Sequence, residues 1–230
     1  MPATCWSALR GRTARVTRMD DCCAPVAGTC AQVVTNGFIS VEYETEIKEG
    51  EEIEVVRADG QLCISDKACD EVKWINITAE FCQVDPDLFT LITGGTTVVD
   101  YAGTATGNRV SQKVPCTRFS LELWSDIAGV ACGTAANSKP YGYFLVPCME
   151  SGVLTGFTIE NDGVTFTVTA RSKAPSAWGT GPYNVVAADA QNTPGKLLTA
   201  IGADDHMHME VVTVAPPAAQ CGCQPLVLTP

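Results

Sequence analysis

Residues 74–95 read WINITAEFCQVDPDLFTLITGG. In the first half, Ile75, Ile77, Ala79 and Phe81 share one side of an extended chain, and Trp74, Asn76, Thr78 and Glu80 share the other. That is the alternation of a half-buried strand. Asp85 is placed to cap a helix, and Pro86 suits the first helical position. Leu88, Phe89, Leu91 and Ile92 give that helix an apolar face, and Gly94 supplies the left-handed residue that stops it. No other segment reads convincingly as a helix. One short helix among many strands predicts a mainly β domain, sandwich or barrel-like, with the helix plugging an open end or flank.

Working outward, residues 38–58 read as a long hairpin with its turn at Lys48-Glu49-Gly50-Glu51 and a return strand over 53–57. Val41, Tyr43, Thr45 and Ile47 alternate with Glu42, Glu44 and Glu46. A solvated face is the ordinary reading of such a charge run. Like charges opposed across a ladder destabilise it, however, so the carboxylates are expected to serve solubility or a lumen that must not hold polyanions. Residues 59–72 and 95–116 read as loops. Over 118–124, Phe119, Leu121 and Leu123 are expected inward and Ser120, Glu122 and Trp124 outward. Residues 141–149 form an apolar strand, and 153–171 a hairpin about Asn161-Asp162-Gly163. Trp178 and Tyr183 belong to a glycine-hinged loop expected to rest on a neighbour. Residues 206–214 read as a last strand, ended by Pro216-Pro217. The resulting organisation is an N-terminal arm (1–34), a β domain (35–215) and a C-terminal arm (216–230).

The chain has 230 residues, enough for one domain with arms. Charged residues are only 18% and hydrophobic ones 46%, so surplus apolar surface is expected between subunits. No run of 18 apolar residues suggests a membrane helix, and the N-terminus lacks the apolar block of a secretory signal. The net charge of −11 argues against ordinary nucleic-acid binding, which needs cations for the phosphates. The charge is uneven. Residues 1–18 carry Arg10, Arg12, Arg15 and Arg18 and no acid, whereas 42–54 carry Glu42, Glu44, Glu46, Glu49, Glu51, Glu52 and Glu54 against Lys48. The 12 cysteines fit a disulfide framework, but without a secretory signal that is not the default. Their pairing does not follow from the sequence.

Signatures of catalysis are scarce. There is no phosphate-binding glycine loop, dinucleotide fingerprint or nucleophile elbow. His206 and His208 are the two histidines. At i and i+2 on a strand they point the same way, with Glu210 on that face and Asp204 and Asp205 nearby, so a shared metal is conceivable. A polar strand face is the preferred reading. Cys221-Gly-Cys223 is too tightly spaced for a zinc knuckle, and a disulfide to an earlier cysteine or free thiols fits better. No cofactor, metal or catalytic group is expected.

Six blocks then stand in a suggestive order: ISVEYETEIKEGEEIEV (39–55), FCQVDPDLFTLITG (81–94), LELWSD (121–126), TIENDGVTFTVTARSKA (158–174), WGTGPYNVV (178–186) and TPGKLLTAIGADDHMHMEVVTVAPP (193–217). With them the chain, from Phe38 to Cys223, resembles the major tail (tail tube) proteins of long-tailed, non-contractile bacteriophages, especially those of actinobacterial hosts. The resemblance implies a tube-type β-sandwich or barrel whose subunits form six-membered rings, stacked into a hollow tail. It implies assembly in the host cytoplasm around a tape-measure protein, with tail-tip and tail-terminator proteins as partners, and a final place in the virion tail. Double-stranded DNA would pass through without being held. On this basis Glu42, Glu44, Glu46, Glu52 and Glu54 are expected at a lumen or inter-ring surface, and Arg10, Arg12, Arg15 and Arg18 in inter-subunit arm contacts. The protein is then no enzyme. The alternatives are another virion component (a capsid decoration or tail-tip protein), a metal-dependent enzyme using His206 and His208, and a secreted disulfide-rich adhesion domain.

Overall fold

The 74–95 stretch folds as its pattern requires. In the computed structural model, which describes residues 5–83, 85–113, 115–128, 139–159 and 163–228, Ile75, Ile77, Ala79 and Phe81 are buried and their alternates are not. The helix α1 spans Pro86–Thr93. Asp85 accepts from the Asp87 and Leu88 N–H groups, and Gly94, at φ 67°, closes the last turn onto the Thr90 carbonyl.

The strands are β1 (Ala8–Met19), β2 (Gly28–Thr35), β3 (Phe38–Lys48), β4 (Glu52–Val56), β5 (Leu62–Lys67), β6 (Glu71–Phe81), β7 (Thr96–Val99), β8 (Ala105–Arg109), β9 (Arg118–Ile127), β10 (Tyr141–Thr158), β11 (Thr165–Ser172), β12 (Val186–Ala187), β13 (Pro194–Gly195), β14 (His208–Val212) and β15 (Gln220–Leu226). Nine of them form one sheet, in the order β15-β2-β1-β9-β10-β11-β6-β3, with β14 also on β10. All its pairings are antiparallel. The 18-residue β10 joins the two halves. Its first half lies between β9 and β14, and its second half pairs with β11. The sheet curls far enough that Gly11 of β1 abuts the Phe38 ring of the edge strand β3, where a Cβ would lie 2.6 Å from the ring.

Inside this curl sits the main core. It unites Val16, Val33, Ile77, Leu121, Val146 and Val168 from the strands with all four apolar residues of α1. The Phe89 ring meets Phe81 and Phe166 edge-on at 6.2 and 5.9 Å. A second core covers the opposite face of the central strands: Trp124, Tyr143, Leu145 and Val212 lie under Trp178, Val185, Leu197 and Ile201. The face of β9 expected to point outward is therefore buried, and the Trp178–Tyr183 loop rests on its own domain. Gly179 and Gly181, at φ 60° and 75°, turn that loop.

Both expected arms belong to the sheet. Within 1–34, β1 and β2 are integral strands, and β1 is central because Ala14 and Val16 fill one core while Thr13, Arg15 and Thr17 enter the other. Within 216–230, β15 pairs with β2. The hairpin expected over 38–58 is longer and turns elsewhere. Strand β3 pairs with β6, and β4 with β5, so residues 38–81 make one ribbon in two tiers. Its turn is at Asp59-Gly60, where Gly60 has φ 83° and the Arg57 N–H reaches the Gln61 carbonyl at 2.7 Å. Gly50 marks the joint between tiers, where the backbone passes so close to Ala68 that no Cβ would fit. The loop expected over 95–116 contains the β7–β8 hairpin. Of the Asn161-Asp162-Gly163 turn, Asn161 and Asp162 lie outside the described residues, while the β10–β11 pairing it was expected to join is present.

Asp85 does two jobs, since its second carboxylate oxygen accepts the Gly222 N–H of β15 at 2.8 Å. Asp85→Ala is expected to cost about 1–2 kcal/mol in urea unfolding, as lost N-caps do. It is also expected to speed amide exchange in β15.

Candidate assembly surfaces

The outer face of β3, β6 and β11 is polar. Val41 and Tyr43 turn inward to the main core, which places Glu42, Glu44 and Glu46 outward and exposed. Their cross-strand partners on β6 are Thr78, Asn76 and Trp74, and the row continues onto Thr169 and Arg171 of β11. No glutamate opposes another in this ladder, so the repulsion expected between two acidic strands is absent from it. Arg171 is engaged by Glu150 at 3.0 Å, and Lys173 reaches the same carboxylate at 3.0 Å. These two cations hold the Glu150 pKa below the ordinary carboxylate value, against the upward pull of burial.

Glu52 and Glu54 are not part of that face. They lie on β4, opposite Lys67 and Ser65. The β4–β5 tier projects from the domain with every residue exposed. On one side it presents Ile53, Val55, Leu62 and Ile64, with 54%, 45%, 54% and 52% of their surface open. Two-stranded ribbons are marginal in water on their own, and an uncovered row of aliphatic side chains marks a contact surface.

The four arginines separate. Arg10 and Arg18 are exposed. Arg12 binds Asp126 at 3.0 Å. Arg15 is no arm contact, because it is buried inside its own domain. Its Nε and Nη2 meet the two Glu122 oxygens at 2.6 Å each. Its guanidinium lies 3.3 Å from the Tyr183 ring centroid and 5.1 Å from that of Trp124. The Tyr143 hydroxyl donates to Glu122 at 2.7 Å, and Thr17 and Tyr183 share a hydrogen bond of 2.8 Å. Burial alone would lower the Arg15 pKa, but the charge of Glu122 and its hydrogen bonds reverse the effect and raise it. Burial pushes Tyr183 up to about 12.

The histidines part company as well. His206 Nδ1 meets Ser172 Oγ at 2.7 Å, and burial lowers its pKa. His208 Nε2 instead meets Glu210 at 3.1 Å. Among the described residues neither histidine joins a cluster of three potential metal ligands. Two disulfides form, Cys23–Cys148 and Cys30–Cys223, and Cys5, Cys22, Cys63, Cys69, Cys82, Cys116 and Cys221 are exposed free thiols. A groove of about 560 Å³ is mostly apolar and lined by Leu9, Ile39, Phe144, Met207 and Met209 among others. No protein-family model matches the chain, and no curated protein matches it significantly in sequence.

Glu122→Gln leaves a buried guanidinium without its counter-charge and is expected to cost about 3–5 kcal/mol in urea unfolding. The Arg15→Met, Glu122→Leu double variant is expected to recover most of that loss. Asp126 supplies a pH dependence. The hydrogen bond from Lys139 at 2.8 Å, followed by that from Arg12, lowers its pKa. A depressed carboxylate stabilises fully above its unfolded value, near pH 4 for Asp, and the benefit is lost as pH falls through the lower folded value. Asp126→Asn is therefore expected to lower stability at neutral pH and to flatten its decline with acid.

Proposed function

We propose that this chain is a structural subunit that works only in an assembly of its own copies. Within that class, we propose a tail tube protein of a long-tailed bacteriophage. Its subunits would form stacked six-membered rings around a tape-measure protein, capped by tail-tip and tail-terminator partners, and would conduct double-stranded DNA. The observation that carries this reading is the β4–β5 tier, an exposed ribbon with an aliphatic side that its own domain does not cover. A ribbon on one copy and a receiving surface elsewhere on the next make a head-to-tail contact, the kind that generates rings and filaments. The free edges of β3 and β15 favour the same outcome, since neighbours can cover them.

The acidic sheet face supports the conduit. Glu42, Glu44, Glu46 and Glu80 offer duplex phosphates no counter-charge, so passing DNA would release no bound counterions and would not be retained. Glu52 and Glu54 sit on the contacting ribbon and belong to the inter-subunit surface in this reading.

Negative-stain electron microscopy of the concentrated protein is expected to show stacked rings or hollow tubes. The Ile53→Lys, Ile64→Lys variant is expected to keep its unfolding free energy within about 0.5 kcal/mol, as exposed substitutions do, and to remain monomeric. Monomers of the wild type at every salt and protein concentration, or tubes unaffected by the variant, would overturn the reading.

A further inference from the structure

The strand β15 is weakly built in. Its pairing with β2 is interrupted by register shifts on both sides of Gln224, and Gln220 and Cys221 are exposed. What holds it is a cluster at the start of α1. The Cys223 N–H donates to Asp87 Oδ2 at 3.0 Å and the Gly222 N–H to Asp85 Oδ2 at 2.8 Å. Cys223 is also bonded to Cys30 of β2.

The Cys30 and Cys223 sulfurs and an Asp87 carboxylate oxygen lie within 4.8 Å of one another, and all three residues are half-buried. We infer that these residues form a second, mutually exclusive clamp: a structural zinc site in the reduced protein. Two thiolates and a carboxylate are a ligand set suited to Zn²⁺, and they need a fourth ligand to complete a tetrahedron. A water supplies it, since the Cys221 sulfur lies outside this cluster and accepts from Gln83 Nε2 instead. A dication beside a helix N-terminus meets unfavourable dipole charge, which the carboxylates of Asp85 and Asp87 and the two thiolates offset.

The chemistry balances. A dithiol reductant transfers two electrons and two protons to the Cys30–Cys223 bond and becomes a disulfide itself. The ion then displaces those two protons from the thiols. A strand with broken pairing would thus stay tied to β2 and α1 in a reducing compartment, where disulfides do not persist.

The test uses the full chain, reduced and then freed of reductant without oxygen, with Zn²⁺ for stoichiometry and Co²⁺ for ligand identity. Reduced wild type is expected to bind one more zinc per chain than the Cys30→Ser, Cys223→Ser variant. Its cobalt form should show thiolate-to-metal absorption that the variant lacks. Asp87→Asn, which leaves the disulfide possible, is expected to weaken this site at least tenfold. Zinc should also restore slow amide exchange in β15 of the reduced protein. Equal zinc uptake by the wild type and the variant, or uptake at this site by the oxidised protein, would overturn the inference. Every readout is made on the subunit, whether or not it assembles.

Discussion

The buried pair of Arg15 and Glu122 constrains the whole sheet. It fixes β1 against β9, since a slip of one residue would turn Arg15 into the apolar core around α1 and put Val16 in its place beside Glu122. Buried ion pairs are poor sources of net stability, but leaving one partner alone is costly. The pair therefore acts mainly by penalising wrong registers. Its surroundings follow from that. Tyr143 satisfies a Glu122 oxygen, Tyr183 covers the guanidinium, and the Trp178–Tyr183 loop must close over β9 to keep water away.

Legibility in the sequence tracked how local each signal was. The β6–α1 unit was legible because alternation, an aspartate cap, a proline and a stop glycine all act within a few residues. The acidic ribbon was legible in composition but not in geometry. Lys48-Glu49-Gly50-Glu51 has turn chemistry, yet Gly50 serves a close strand crossing, and the turn falls at Asp59-Gly60, a dipeptide with a known hairpin preference. The N-terminal strand was missed because its four arginines resemble a basic tail. The available clue was Ala14 and Val16 alternating about Arg15, matched in opposite charge by Glu122 within an apolar strand. Strand β15, with the run QCGCQP, has no period to read, and only its pairing with β2 and its contacts with α1 define it.

Charge and sulfur are both sorted by depth. The carboxylates of β3 collect on an open sheet face, while the buried Arg15–Glu122 pair is sealed beneath Tyr183 and beside Trp124 in the second core. The cysteines divide likewise. The four that pair tie a turn to β10 and one edge strand to its neighbour, and the described free thiols stand at the surface. Surface and interior thus carry different chemistry.

The central place of β1 has a consequence for the order of events during synthesis. Strand β1 waits for β9, which begins at Arg118, and its neighbour β2 waits for β15, which begins at Gln220. Ladders that join such distant residues close slowly, because loop entropy is lost before contacts repay it. A nascent chain halted anywhere before Gln220 holds β2 with an open edge, and one halted before Arg118 holds Arg15 without its carboxylate. Closure of the sheet is therefore a late event that waits for β15, and the growing chain passes through a window in which its strand edges invite the wrong partners.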